Sequence, residues 1–261
     1  MNEPRTGGPR GPLVFAHYAF APNSLGLCGP GDSEGLRQAM VEGTDIDHLA
    51  HLATQFDGAW PYLELIARAN GIDDPLDVRV VRAYWHGNEL IRRVPMTSVA
   101  TSLDDRFSRR AGRDVDSLVA SAFSGAVVQH SFHVFAVYPW MGLLRAGVLG
   151  PPLEVLDRCR IRWGRVECVD TDVALVWSSP LDFDGSRLTL APERLEEVRY
   201  ERDADGVVGD LVPGDMVSMH WDWICERLTP STLAWLRACT RRNMESVNAL
   251  GRPGPAMLAS S

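Results

Sequence analysis

Apolar residues recur at helical spacing through the first half of the chain and switch to short alternation in the second. After a mostly apolar segment, Leu13 to Ala21, the run PNSLGLCGPGDS clusters Pro, Asn and Gly and predicts a loop that holds Cys28. Ser33, Leu36 and Met40 begin a helical pattern. Ile46, Leu49, Leu52, Ala53 and Phe56, with Leu63 and Ile66 past Pro61, continue it over 46–70, and Asn70-Gly71 marks a helix C-terminus. Asp74-Pro75 reads as N-cap and first position of the next helix, through Val78, Val81, Tyr84, Trp85 and Leu90 to Pro95. A polar stretch at 100–113 leads to Asp114, from which Leu118, Val119, Ala122, Phe123, Ala126 and Val127 carry helical spacing toward His130. Residues 131–145 are apolar on all sides, as a buried segment would be.

The two Gly and two Pro between Gly147 and Pro152 separate this region from one of different period. Residues 159–169 alternate, with Ile161, Trp163 and Val166 apolar, and 173–177 reads as a strand. Asp184-Gly185 is a hairpin-turn pair, SRLTLA and LEEVRYE are further short strands, and Pro213-Gly214-Asp215 introduces a strand ending at His220. Thr229-Pro230 caps a final helix over 230–249. The expected class is α+β: an α-helical domain over 13–148, then a small β-barrel with a terminal helix over 153–250, between flexible tails at 1–12 and 251–261.

Composition narrows the setting. With 261 residues, 45% of them hydrophobic, the chain has ample material for packed cores. The net charge of −8 gives no field toward nucleic acid or an anionic membrane, so neither is expected as a partner. No apolar run reaches the roughly 18 to 20 residues that cross a bilayer. Cysteines 28, 159, 168, 225 and 239 form neither a CxxC pair nor an even-numbered framework, which predicts a reducing, cytoplasmic setting with free thiols.

Two short motifs carry the chemistry. Cys159-Arg-Ile-Arg-Trp-Gly164-Arg165-Val166 has the spacing C-x4-G-R-V, and about fifty residues later comes Gly214-Asp215-Met-Val217-Ser-Met-His220. Together with Asp172-Val-Ala174-Leu-Val176 and the passage Arg227-Leu228 into the last helix, they resemble the HypC/HupF-type [NiFe]-hydrogenase maturation chaperones over about a third of the chain, residues 155–247. The resemblance implies an OB-like barrel, Cys159 and His220 as metal ligands, and a transient iron moiety, Fe(CN)2CO, carried between a HypD-like scaffold and the hydrogenase large-subunit precursor. A thiolate suits low-spin iron, and an imidazole can ligate iron or hydrogen-bond a cyanide nitrogen. Arg158, Arg160, Arg162 and Arg165 flank the thiol and are expected to favour its thiolate form. In that family the Cys follows the initiator Met, whereas Cys159 is internal; the Pro before Gly-Arg-Val is Trp163, and Trp221-Asp222-Trp223 follows His220. The chain is also similar to an uncharacterised hydrogenase-associated bacterial family with F-A-P-N-S-L-G-x-C-G-P near the start, here Phe20 to Pro30, and H-W-D-W near the end, here His220 to Trp223.

A possible second site lies in the helical half: His17, Cys28, His86, His130 and His133 all neighbour aromatic or apolar residues, and the H-x-x-H pair His130/His133 can chelate a metal when other ligands converge. Three readings follow: a non-enzymatic maturation factor that binds or delivers the iron moiety, a metal-dependent enzyme with the second site as its centre, and a protein-binding adaptor of hydrogenase assembly without iron. Cys168, Cys225 and Cys239 read as core or incidental thiols.

Overall fold

A computed structural model of the chain describes residues 10–95, 98–99, 125–204 and 206–250. Residues 114–124 of the helix expected from Asp114, residues 1–9 of the tail expected at 1–12, and the tail at 251–261 lie outside them; Gly11 and Pro12 instead open a helix, and Ala126 and Val127 are not helical. The first helix, α1 (Gly11–Ser24), is buried on nearly every side from Leu13 to Asn23 and forms the axis of the helical half. A helix apolar all round must be enclosed by others. Around it pack α2 (Ser33–Glu42), α3 (Ile46–Ala53) and α5 (Val78–Trp85), with α4 (Trp60–Asn70) against α5. The pattern read as continuous over 46–70 is two helices: Pro61 lies in the first turn of α4, where its missing N–H costs nothing, and the chain turns at 54–59. Likewise α5 starts at Val78, capped by Asp77 rather than Asp74, and ends at Trp85 before a 3-10 turn at Glu89–Arg93.

The chain resumes as a short helix, α6 (His130–Phe132), which widens into a π-helical turn at His133–Val137. Helices α7 (Trp140–Arg145) and α8 (Pro151–Cys159) follow. Cys159 therefore ends a helix, not a strand as its alternating neighbours suggested; the first strand begins only at Arg162. Strands β1 (Arg162–Asp170), β2 (Val173–Ser178), β5 (Arg194–Arg199), β6 (Met216–His220) and β7 (Trp223–Arg227) close a barrel in the order β1-β2-β5-β7-β6, and β3 (Leu181–Phe183) with β4 (Leu188–Leu190) forms a separate hairpin at the expected Asp184-Gly185 turn. The long α9 (Pro230–Leu250) completes an α+β fold, helices first, then barrel, then terminal helix. Among the described residues no helix is long and apolar enough to cross a membrane.

Strand alternation builds two cores. Val166, Ala174, Val176, Val198, Val217, Met219 and Ile224 fill the barrel. Trp223 and Cys225 of β7, with Ile161, Leu228, Leu236 and Cys239, join the core of the helices around α1, so the two halves share a buried seam. Gly164 of the G-R-V motif has a packing reason: a Cβ there would lie 2.4 Å from Val176 Cγ1 and 2.7 Å from the carbonyl oxygen of Trp177. Because backbone cannot yield as a flexible side chain can, Gly164→Ala is expected to destabilise the protein by about 2 kcal/mol, measured as a shift of the denaturant midpoint. An unchanged midpoint would mean that β1 and β2 are farther apart than described.

Candidate metal centre

The β6–β7 hairpin and the end of α8 meet at one point. The Trp221 N–H donates to the Arg158 carbonyl at 2.8 Å, and buried Arg162 donates from one side to the Trp221 carbonyl and from the other to Glu196. These bonds hold Trp221 at φ 58°, a left-handed conformation unusual for a large side chain. The tether brings His220, the residue before it, beside Cys159, the residue after Arg158.

His130 reaches the same point from α6. Both its neighbours are buried and bonded: Gln129 donates to the Trp85 carbonyl at 2.6 Å and accepts from the Ser131 N–H at 3.0 Å, while Asn243 of α9 donates to the Ser131 hydroxyl at 2.9 Å. The donor atoms of His130, Cys159 and His220 all lie within 4.8 Å of one another. Tetrahedral coordination sets donors about 3.5 Å apart, so a bound ion would draw them inward by about 1 Å. They face a mostly apolar cavity of about 260 Å³, also lined by Cys28, Phe56, Tyr84, Trp85, His133, Trp140 and Trp221.

A hydrogen bond prepares the His220 imidazole, whereas both nitrogens of His130 are hydrogen-bonded and one of those bonds must be given up when it ligates. His220 Nδ1 donates to the Tyr18 carbonyl at 2.6 Å, leaving Nε2 buried and, among the described residues, without a partner. A ring nitrogen held this way fixes the tautomer and presents the other lone pair to a metal. His130 Nε2 lies 2.8 Å from the Cys159 carbonyl, and its Nδ1 lies 3.0 Å from the Tyr84 hydroxyl, which is also 3.1 Å from the Gly58 carbonyl. Tyr84 serves either tautomer: it donates to Nδ1 when Nε2–H bonds Cys159, or accepts from Nδ1–H and donates to Gly58 when Nε2 ligates.

Burial dominates the electrostatics. It lowers His220 to about 4, with the Arg162 charge adding to the effect, and it lowers His130 as well, helped by His220. Both rings are neutral, the form that ligates. Burial pushes Cys159 up to about 12, with Cys28 adding to the rise. The expectation that flanking arginines favour the thiolate is overturned: Arg158 pairs with Glu154, Arg160 with Asp157, Arg162 with Glu196 and Arg165 with Glu167, so these cations are spent on carboxylates. The thiol is protonated in the metal-free protein, and a metal must displace that proton.

The two sites expected from sequence are not separate. Cys28, His130 and His133 line the cavity of Cys159 and His220. His133 stands outside the donor triad, its Nδ1 3.0 Å from the Tyr62 hydroxyl, so the H-x-x-H pair does not converge on one point. His17 and His86 do not line the cavity. His17 Nε2 is 3.9 Å from Asp203, and His86 joins Tyr18, Glu226 and Arg82 in a buried polar network. In Tyr-Trp-His it is Tyr84 and Trp85, not His86, that the turn of α5 directs to the cavity. Cys225 and Cys239 are buried and Cys168 is exposed.

Fold and site together define an α+β protein that holds a Cys/His donor set in an apolar cavity between a helical half and a five-stranded barrel. The chain belongs to a family of unknown function, DUF6390, whose model matches residues 7–253. No curated protein and no solved structure matches it.

Proposed function

We propose that this protein binds a transition-metal centre through Cys159, His220 and His130 and acts as a maturation factor rather than an enzyme. Its cargo is the Fe(CN)2CO moiety of [NiFe]-hydrogenase, received from a HypD-like scaffold and delivered to the large-subunit precursor. The observation that carries the metal-binding part is the convergence of three donors from α6, α8 and β6 in one cavity, with a buried ring nitrogen left unpartnered. The HypC-like spacing of Cys159 and His220 supports the identity of the cargo. A thiolate and two imidazoles match the preference of low-spin iron for soft and nitrogen donors. Iron bearing three diatomic ligands has three octahedral positions left, the number of donors here.

The apolar lining keeps water from the cargo. Trp85 and Trp221, both at the cavity, carry buried indole N–H groups with no partner among the described residues, and such donors suit cyanide nitrogens. The five free thiols favour action in the cytoplasm.

Cys159→Ala in the producing cell should abolish hydrogenase maturation, and the wild-type protein isolated with its partners should show infrared bands of bound cyanide and carbonyl. Normal hydrogenase activity in the variant would overturn the carrier role. So would a wild-type protein without those bands under conditions that support maturation.

A further inference from the structure

We infer that Cys28 is a fourth metal donor, and that the loop bearing it completes a Cys2His2 set with His130, Cys159 and His220 around a divalent d-block cation. The inference rests on the reading of the cavity as a metal site and concerns a divalent ion without diatomic ligands; an Fe(CN)2CO moiety, with three positions left, would use the triad alone.

The loop between α1 and α2 is anchored so as to present this residue. Asn23, buried at the end of α1, donates through one amide nitrogen to the carbonyls of Cys28 at 2.8 Å and Pro30 at 2.6 Å. Gly29, at φ 80°, rests on Phe56 so closely that a Cβ would lie 2.4 Å from the ring. Cys28 is thereby held at the cavity that contains the other three donors. Leu25 and Leu27 on the same loop are 51% and 54% exposed, whereas Cys28 packs against the core of the helices beside the cavity.

Charge gives an independent reason. A divalent ion held by one thiolate and two neutral imidazoles leaves a net positive charge in an apolar cavity. An uncompensated buried charge is costly. A second thiolate makes the centre neutral. His220 Nε2, on a side chain 1% exposed, is the unpartnered atom that awaits the ion. As the two metal–sulfur bonds form, each thiol gives its proton to solvent. Cys28 lies outside the triad that is already within 4.8 Å, so binding draws the loop tip inward.

The test uses the full-length protein loaded with Co2+ alone. Thiolate-to-cobalt charge-transfer absorption scales with the number of Co–S bonds, and ligand-field bands report tetrahedral geometry. Cys28→Ser and Cys28→Ala should each lose about half the charge-transfer intensity and bind Co2+ more than about tenfold more weakly, with the fold intact by circular dichroism. Cys28 variants with full intensity and unchanged affinity would overturn the inference while leaving the three-donor site standing. A wild-type protein that binds no cobalt would overturn the metal-site reading itself, and the inference with it.

Discussion

Cys159→Ser lowers the affinity for Co2+ or Zn2+ at pH 7 by more than about 100-fold, the loss that removal of an outer-shell partner of a ligand already produces. The substitution replaces sulfur by oxygen with little change of shape at the end of α8, so the packing of the helix and the Trp221-to-Arg158 hydrogen bond should persist. What disappears is the only anionic donor of the triad. A serine hydroxyl is harder and far less acidic than a thiol, and two neutral imidazoles with at most the Cys28 thiolate do not balance a divalent charge in an apolar cavity. Competition titration against a chromophoric chelator measures the change. An affinity within a factor of a few of wild type would mean that the metal does not sit on this sulfur.

Acidification of the metal-free protein from pH 7 to pH 5 should remove about 4 kcal/mol of stability. Buried His86 and His220 supply most of the effect; His130, also lowered by burial, adds to it, and Glu226, raised by burial, opposes it. His86 is lowered to about 3 by burial and by Arg82, despite Glu226 at 3.3 Å, and His220 is lowered to about 4. In the unfolded chain each titrates near its ordinary value of about 6.5, so below that pH the unfolded state takes up protons that the folded state refuses. Stability is fully present above about pH 6.5 and is lost as the pH falls toward 4, by about 2 kcal/mol per ring at pH 5. That is a large part of the roughly 5–15 kcal/mol typical of a folded domain. Denaturant midpoints at the two pH values report it. A stability that does not change between them would contradict the burial of neutral rings at these positions.

The strands were legible in the sequence as short apolar runs between turn signals. Residues 173–177 are an example, although only burial tells that Ala174 and Val176 face the barrel core, and the Asp184-Gly185 turn needed no tertiary information. The last helix announced itself through its Thr-Pro start. The helix that ends in Cys159 was hidden because its last residues, Arg158 and Cys159, run without a Gly or Pro break into the alternation of β1. The split between α3 and α4 was hidden for a related reason: apolar spacing stays in phase across Pro61, although the backbone does not.

The site was legible only in part. The motif spacing named Cys159 and His220 together, and the structure brings them together. Their third companion could not be ranked above His17 or His86, because all three histidines stand among apolar residues. What separates them is long-range: Asn243 of α9 and Gln129 fix the segment of His130, while Glu226 of β7 claims the side of α5 that bears His86. Nor does local sequence tell that the carbonyl of Tyr18, at the centre of α1, orients His220. A cavity assembled from α1, the Cys28 loop, α5, α6, α8 and β6 is a property of packing between distant segments, and periodicity reports only on neighbours.

X-ray absorption at the zinc edge of the reconstituted protein tests the central claim most directly. A centre at His130, Cys159 and His220 predicts a mixed first shell, with sulfur at about 2.3 Å, nitrogen at about 2.0 Å and the multiple-scattering signature of imidazole. The sulfur component should vanish or halve in Cys159→Ser. A shell of nitrogen and oxygen alone in the wild-type protein, or a sulfur contribution unchanged by that substitution, would contradict the assignment.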